Sequence, residues 1–91
     1  MTLTWIVAYK CSEFQMWQEY LAADELQMAQ EAAELCAADQ ARQLVCIFYN
    51  KPGWEKRRPR YVIADRREKA NWPINGLGGL INSLSSDYFG A

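Results

Sequence analysis

The stretch ELQMAQEAAELCAADQA, residues 25–41, decides the fold class of this chain. Its residues are strong helix formers without glycine or proline, and Asp24 stands before it as the predicted N-cap. On a helical wheel one broad face is apolar and the opposite face is polar. The apolar face consists of Leu26, Met28, Ala29, Ala32, Ala33, Leu35, Cys36 and Ala37. An alanine-rich face lets a helix lie close against a sheet, with Met28, Leu35 and Cys36 expected to fill the core.

Two apolar segments follow this helix and predict an antiparallel hairpin. Residues 44–49 (LVCIFY) are continuously apolar, which is typical of a central strand, and residues 60–66 (RYVIADR) fit its partner. The polar loop between them, residues 50–59, begins with a predicted turn that has Pro52 at its second position and Gly53 at its third. Loops of this length are often functional.

Two further segments precede the helix. Residues 3–9 (LTWIVAY) are rich in β-branched and aromatic residues and predict a buried strand. Residues 14–21 (FQMWQEYL) fit both helical spacing and strand alternation. A helix there would merge with the next one into about 29 residues, roughly 43 Å long, whereas a globule of this size is only ~30 Å across. We therefore favour a second strand, with a short, separately oriented helix as the alternative.

The whole chain predicts a single small α+β domain. Its 91 residues leave room for one core, so residues 1–91 form one domain. A helical repeat of leucine and isoleucine over residues 77–84 predicts a short C-terminal helix, and residues 86–91 are expected to be a flexible tail. The predicted order is β-β-α-β-β-α, with a mainly antiparallel sheet of about four strands covered by the long alanine-rich helix. If residues 14–21 are helical, the order becomes β-α-α-β-β-α.

The residue types exclude several kinds of chemistry. The chain contains no histidine, which rules out nucleophilic schemes that rely on a Ser-His or Cys-His pair. Cys11, Cys36 and Cys46 are far apart in sequence, so we expect reduced thiols in a cytosolic protein rather than a zinc site or a disulfide framework. No cofactor is expected. The first residues, MTLTWIVAYK, do not resemble a signal peptide, and no apolar run approaches the ~20 residues that cross a bilayer. We therefore expect a soluble cytoplasmic protein with no membrane partner.

The net charge of −1 conceals a strong segregation along the chain. Residues 1–41 carry a net charge of −6, and residues 42–71 carry +6. The acidic outer helix face, with Glu31 and Glu34, is expected to form a second surface away from the basic loop. Arginines and exposed tryptophans make good anchors for a partner. The candidate partner-binding residues are Trp54, Lys56, Arg57, Arg58, Arg60, Tyr61 and Trp72.

The competing interpretation of these residues is a solvated hairpin loop. Its arginines would keep the sheet soluble or pair with acidic residues of the same chain, and Trp54 and Trp72 would cap the core. Our first functional hypothesis is a small non-catalytic intracellular interaction module, such as an accessory or inhibitory protein that masks a protein partner's surface. A homodimer formed by open sheet edges is also consistent with the pattern.

Two other functions remain open. Nucleic acid could bind the loop at 54–61, with Arg57, Arg58 and Arg60 on phosphates and Trp54 or Tyr61 stacking on bases. The isoelectric point near 5.3 argues against this, because nucleic-acid-binding domains usually lie above 9. A carboxylate-based enzyme would need acids such as Glu13, Glu19 and Asp24 to converge, which nothing in their spacing predicts.

Overall fold

A computed structural model describes residues 3–67 of the chain. The predicted C-terminal helix, the tail at 86–91 and Trp72 lie outside the described residues. Within them the elements are β1 (Trp5–Lys10), β2 (Gln18–Ala23), α1 (Leu26–Ala37), β3 (Leu44–Tyr49), a 3-10 turn (Trp54–Lys56) and β4 (Tyr61–Asp65). The four strands form one antiparallel sheet in the order β2-β1-β3-β4. The predicted α+β class and the single long helix are confirmed.

The alanine face of α1 packs on one side of the sheet, as the sequence predicts. Ala29, Ala33 and Cys36 are fully buried against Val7 and Val45 of the two central strands. Met28 and Leu35 were expected in this core, and that expectation is wrong, because they are 51% and 68% exposed. Met28 lies about 100° around the helix from Ala29, and Leu35 about 100° from Cys36. The close approach that alanine permits leaves this flanking stripe outside the contact.

The ends of α1 differ from the prediction. The N-cap is Glu25, not Asp24, and no side chain caps the first turn. The helix ends at Ala37 rather than Ala41, and distant arginines donate hydrogen bonds to carbonyl groups of its last turn. The Arg42 guanidinium donates to the Cys36 carbonyl at 2.9 Å, and the Arg66 guanidinium donates to the Ala37 carbonyl at 2.7 Å.

The second strand begins later than expected. β2 starts at Gln18, because residues 12–15 form a turn in which the Gln15 amide donates to the Ser12 carbonyl at 3.3 Å. The strand interpretation is confirmed for residues 18–21, residues 14–17 lie before the strand, and the helical alternative is wrong. Within residues 3–67, no helix combines the length and apolar character needed to span a bilayer.

Two loops cover the other side of the sheet. Phe48 is the centre of this second cluster, which also contains Ile6, Leu44, Cys46 and Val62. The Trp17 ring meets Phe48 edge-on at 4.8 Å between centroids, and the Trp54 ring lies 5.0 Å from it. Because Trp17 precedes β2 and Trp54 lies in the loop after β3, both loops are folded against the sheet.

Both edge strands are irregularly paired. The register shifts between Val7 and Ala8 in the β1–β2 pair, and between Val45 and Cys46 in the β3–β4 pair. Bulges of this kind twist an edge strand and make it a poor template for another strand. The hypothesis of a homodimer formed by edge pairing stays a prediction, and these irregularities weaken its basis.

Candidate functional site

The loop after β3 has a defined conformation. The Trp54 amide donates to the Lys51 carbonyl at 3.0 Å, and Gly53 has φ 75°, which confirms the turn predicted from Pro52 and Gly53. A 3-10 turn follows, and then the Arg60 amide donates to the Ile47 carbonyl at 2.7 Å to begin the return into the sheet. These backbone bonds order the path of the loop between β3 and β4.

The cations of this loop surround the end of β3. We call Tyr49, Lys51, Arg57, Arg58 and Arg60 the basic end. A cavity of about 250 Å³, the basic pocket, is lined by the first four of these residues together with Phe48. Three cations and two aromatic walls make this pocket suited to an anionic group, because guanidinium groups bind carboxylates and phosphates bidentately.

Aromatic rings contact cations of the basic end. Tyr49 is 41% exposed, and its ring stacks on Trp5 at 4.8 Å between centroids. The Arg60 guanidinium lies 5.6 Å from the Tyr49 ring and 5.9 Å from the Tyr61 ring, and the Lys51 Nζ lies 5.7 Å from the Tyr49 ring. Cation–π contacts of this length position the charges without neutralising them.

Three cations of the basic end are not neutralised by carboxylates of the described chain. The ion pairs within residues 3–67 join Arg42 to Asp39 and Arg67 to Asp65. Lys51, Arg58 and Arg60 form no ion pair with a carboxylate of these residues. The competing interpretation held that the arginines of the loop pair with acidic residues of the same chain. Lys51, Arg58 and Arg60 do not pair with any acid of residues 3–67.

The other predicted site residues are divided among several places. Trp54 is half-buried against Phe48, and Tyr61 is half-buried against the helix-side core. Lys56 is exposed but belongs to a different depression, beside Trp17. Glu31 and Glu34 are exposed on α1. Sequence reasoning missed Trp5, Tyr49 and Lys51 as parts of the site. The only sequence signal that could have indicated Tyr49 and Lys51 was their position at the junction of a buried strand and a polar loop. No such signal marked Trp5.

The buried cysteines have little nucleophilic character. Cys36 and Cys46 are fully buried free thiols, and Cys11 is half-buried. Burial raises the pKa of the Cys46 thiol well above its ordinary value, and Asp65 acts in the same direction. Burial also raises the pKa of Cys36. A protonated, inaccessible thiol is a poor nucleophile. Within residues 3–67, no group of three or more cysteines, aspartates and glutamates is arranged to hold a metal ion.

The raised pKa of Cys46 predicts a loss of stability in alkali. An unfolded thiol ionises near pH 8.5, whereas the folded thiol keeps its proton, so the free energy of unfolding falls as pH rises above that value. The slope approaches about 1.4 kcal/mol per pH unit for one thiol. Urea unfolding at pH ~7.5, ~9 and ~10 measures it, and Cys46→Ala is expected to give a shallower decline. Parallel declines for the two proteins would contradict the assignment.

The fold and the site together define a small antiparallel α+β domain with a basic, aromatic end. No family model, no curated protein and no solved structure matches this chain.

Proposed function

We propose that this protein is a non-catalytic interaction module that binds an acidic surface of a protein partner through its basic end. The observation that carries the proposal is that Lys51, Arg58 and Arg60, which pair with no carboxylate of residues 3–67, lie at the exposed Tyr49 ring or line the basic pocket. Such charges steer an acidic partner and fix its orientation, while Tyr49 and the arginines supply the contact energy. An accessory or inhibitory role that masks the partner's acidic surface follows from this mode of binding.

Two observations favour a protein over a nucleic acid. Base stacking needs open aromatic faces, yet Trp54 and Tyr61 are half-buried in the two cores, and Trp5 covers one face of Tyr49. The chain also has an isoelectric point near 5.3, whereas nucleic-acid-binding domains usually have values above 9. Nucleic acid remains the second candidate, because the basic pocket can also take a phosphate.

Fluorescence anisotropy separates the two candidates. The probes are a labelled oligoglutamate peptide and labelled single-stranded and duplex oligonucleotides, each at ~50 and ~200 mM salt. We expect the peptide to bind at ~50 mM salt, and a Lys51→Ala/Arg58→Ala/Arg60→Ala variant to bind at least about tenfold more weakly. Lys56→Ala is the matched control, because Lys56 lies on the same loop but outside the basic pocket.

Each other outcome changes the conclusion. Tighter binding of an oligonucleotide, with a log–log salt slope of about −0.9 per duplex phosphate contacted, would make nucleic acid the partner. Equal losses of peptide affinity in the triple variant and in Lys56→Ala would show that the basic end is not the binding site. The absence of binding to every probe at ~50 mM salt would overturn the proposal.

A further inference from the structure

Exposed apolar side chains lie on the helix and on the neighbouring edge strand. Met28 and Leu35 of α1 are 51% and 68% exposed, and Tyr20 and Leu21 of β2 are each 39% exposed. Met28 and Leu35 are seven residues apart, so they lie two turns apart on one flank of the helix. Leu21 pairs with Val7 of the helix-side core, and directly opposed residues share a face of the sheet. Leu21 is therefore on the same side of the sheet as α1.

The contacts of Arg42 place β2 beside the last turn of α1. The Arg42 guanidinium lies 4.5 Å from the Tyr9 ring and 5.3 Å from the Tyr20 ring. The same guanidinium donates to the Cys36 carbonyl at 2.9 Å. Because Tyr9 packs against the helix-side core, Tyr20 also lies on that side, next to the end of the helix.

The hand of the chain connection decides which edge strand the exposed flank of α1 faces. β2 and β3 both run antiparallel to β1, so they are parallel to each other, and α1 connects them. Connections of this kind are right-handed, which turns the flank with Met28 and Leu35 toward β2 and the opposite flank toward β4. The Arg66 hydrogen bond to the Ala37 carbonyl agrees with this hand, because Ala37 is on the opposite flank and Arg66 directly follows β4. We call the resulting surface the apolar flank; it consists of Tyr20, Leu21, Met28 and Leu35.

The chain leaves the described residues near the apolar flank. The Arg66 guanidinium donates to the Ala37 carbonyl at 2.7 Å and to the Arg42 carbonyl at 2.9 Å. Arg66 is thus held at the end of α1, beside the residue that contacts Tyr20. Whatever follows residue 67 starts within reach of the exposed side chains.

The sequence that follows suits burial against an apolar surface. Residues 70–86 contain no charged side chain, whereas segments that stay unfolded in water are rich in charge. Within this stretch the apolar residues recur at helical spacing, which predicts one apolar face. That face consists of Leu77, Leu80, Ile81 and Leu84.

We propose that residues 77–84 dock on the apolar flank of their own chain. Eight helical residues span about 12 Å, and the seven-residue separation of Met28 and Leu35 spans about 10 Å, so the two surfaces match in length. The nine residues 68–76 reach at most about 30 Å when extended, which exceeds the length of α1. A tether this short gives the segment an effective concentration in the millimolar range, an advantage that a separate partner lacks.

Methionine oxidation by dilute hydrogen peroxide, followed by peptide mass spectrometry of the full chain, tests the proposal. Met16, in the loop before β2, is 77% exposed and serves as the internal reference for Met28. Oxidation follows exposure, so without a cover the two rates would agree within about twofold. Docking of residues 77–84 is expected to make Met28 react at least about tenfold more slowly than Met16.

Two double variants separate docking from other causes of protection. Leu80→Asp/Leu84→Asp is expected to bring the Met28 rate to within about twofold of the Met16 rate, because burying unpaired carboxylates is costly. Asn82→Asp/Ser83→Asp is the matched control, since it adds the same charge at polar positions of the same segment. This control is expected to keep Met28 protected.

The dependence on protein concentration identifies the occupant. A contact within one chain protects Met28 equally at ~5 and ~500 µM protein, whereas protection that arises only at the higher concentration would make a second copy the occupant and overturn the proposal. Far-UV circular dichroism checks that each variant is folded. Oxidation of Met28 as fast as Met16 in the unsubstituted chain, or equal loss of protection in the two double variants, would also overturn it.

Discussion

Replacement of Phe48 by alanine is expected to lower the free energy of unfolding by about 3–5 kcal/mol, the range for a large buried aromatic side chain. Phe48 is 1% exposed and contacts both Trp17 and Trp54. Its replacement therefore removes the ring against which the loop before β2 and the loop after β3 both pack. Phe48 also lines the basic pocket, so the variant should bind the oligoglutamate peptide more weakly under conditions where it is still folded. Urea unfolding followed by tryptophan fluorescence and circular dichroism measures the change.

The control for this prediction is the same substitution at an exposed position. Phe14→Ala removes an identical side chain that is 90% exposed, and its effect on unfolding is expected to stay within about 0.5 kcal/mol. A loss at Phe48 of less than about 1 kcal/mol would mean that the two tryptophans are held by other contacts.

Replacement of Asp65 by alanine is expected to cost about 3 kcal/mol, because it deprives a buried cation of a carboxylate. The Arg67 side chain is 0% exposed, and its Nη2 lies 2.6 Å from the Asp65 Oδ2. The Arg67 Nε and backbone amide also donate to Asp65 Oδ1, at 2.8 Å and 3.2 Å. Three hydrogen bonds to one carboxylate make this a structural pair rather than a chance surface contact. Thermal and urea unfolding measure the loss.

The other ion pair of the described chain is the control. Asp39 lies 3.9 Å from the Arg42 Nε, and its side chain is 55% exposed. Asp39→Ala is expected to cost less than about 1 kcal/mol, because water screens an exposed pair. Equal losses for Asp39→Ala and Asp65→Ala would show that burial of Arg67 does not make its pairing more important.

Much of the fold could be predicted from local patterns. The apolar run at 44–49 coincides with the observed β3. A strand that is buried on both faces is apolar at every position, so the ends of the apolar run mark the ends of the strand. The alanine face of α1 and the turn at Pro52 and Gly53 were also predicted correctly, because side-chain size and backbone preference act within a few residues. The exposure of Met28 and Leu35 was not predicted, because it depends on how closely the helix approaches the sheet.

The candidate site was predicted only in part. The sequence indicated the cations of the loop but not the stacked pair of Trp5 and Tyr49, which lie 44 residues apart and meet through the register of β1 and β3. It also assigned Trp54 to a partner surface as readily as to the core. Its contact with Phe48 depends on the loop folding back across the sheet, which no local pattern encodes.

The sequence by itself determined the α+β class, the strands and helix of the described chain, the separation of acidic and basic segments, and the exclusion of histidine chemistry. Each of these depends on composition or on the periodicity of neighbouring residues. Only the tertiary structure decided which cations surround Tyr49 and which tryptophans are buried. Those features arise from contacts between residues distant in the chain, because strand register and loop packing are set by the whole core at once.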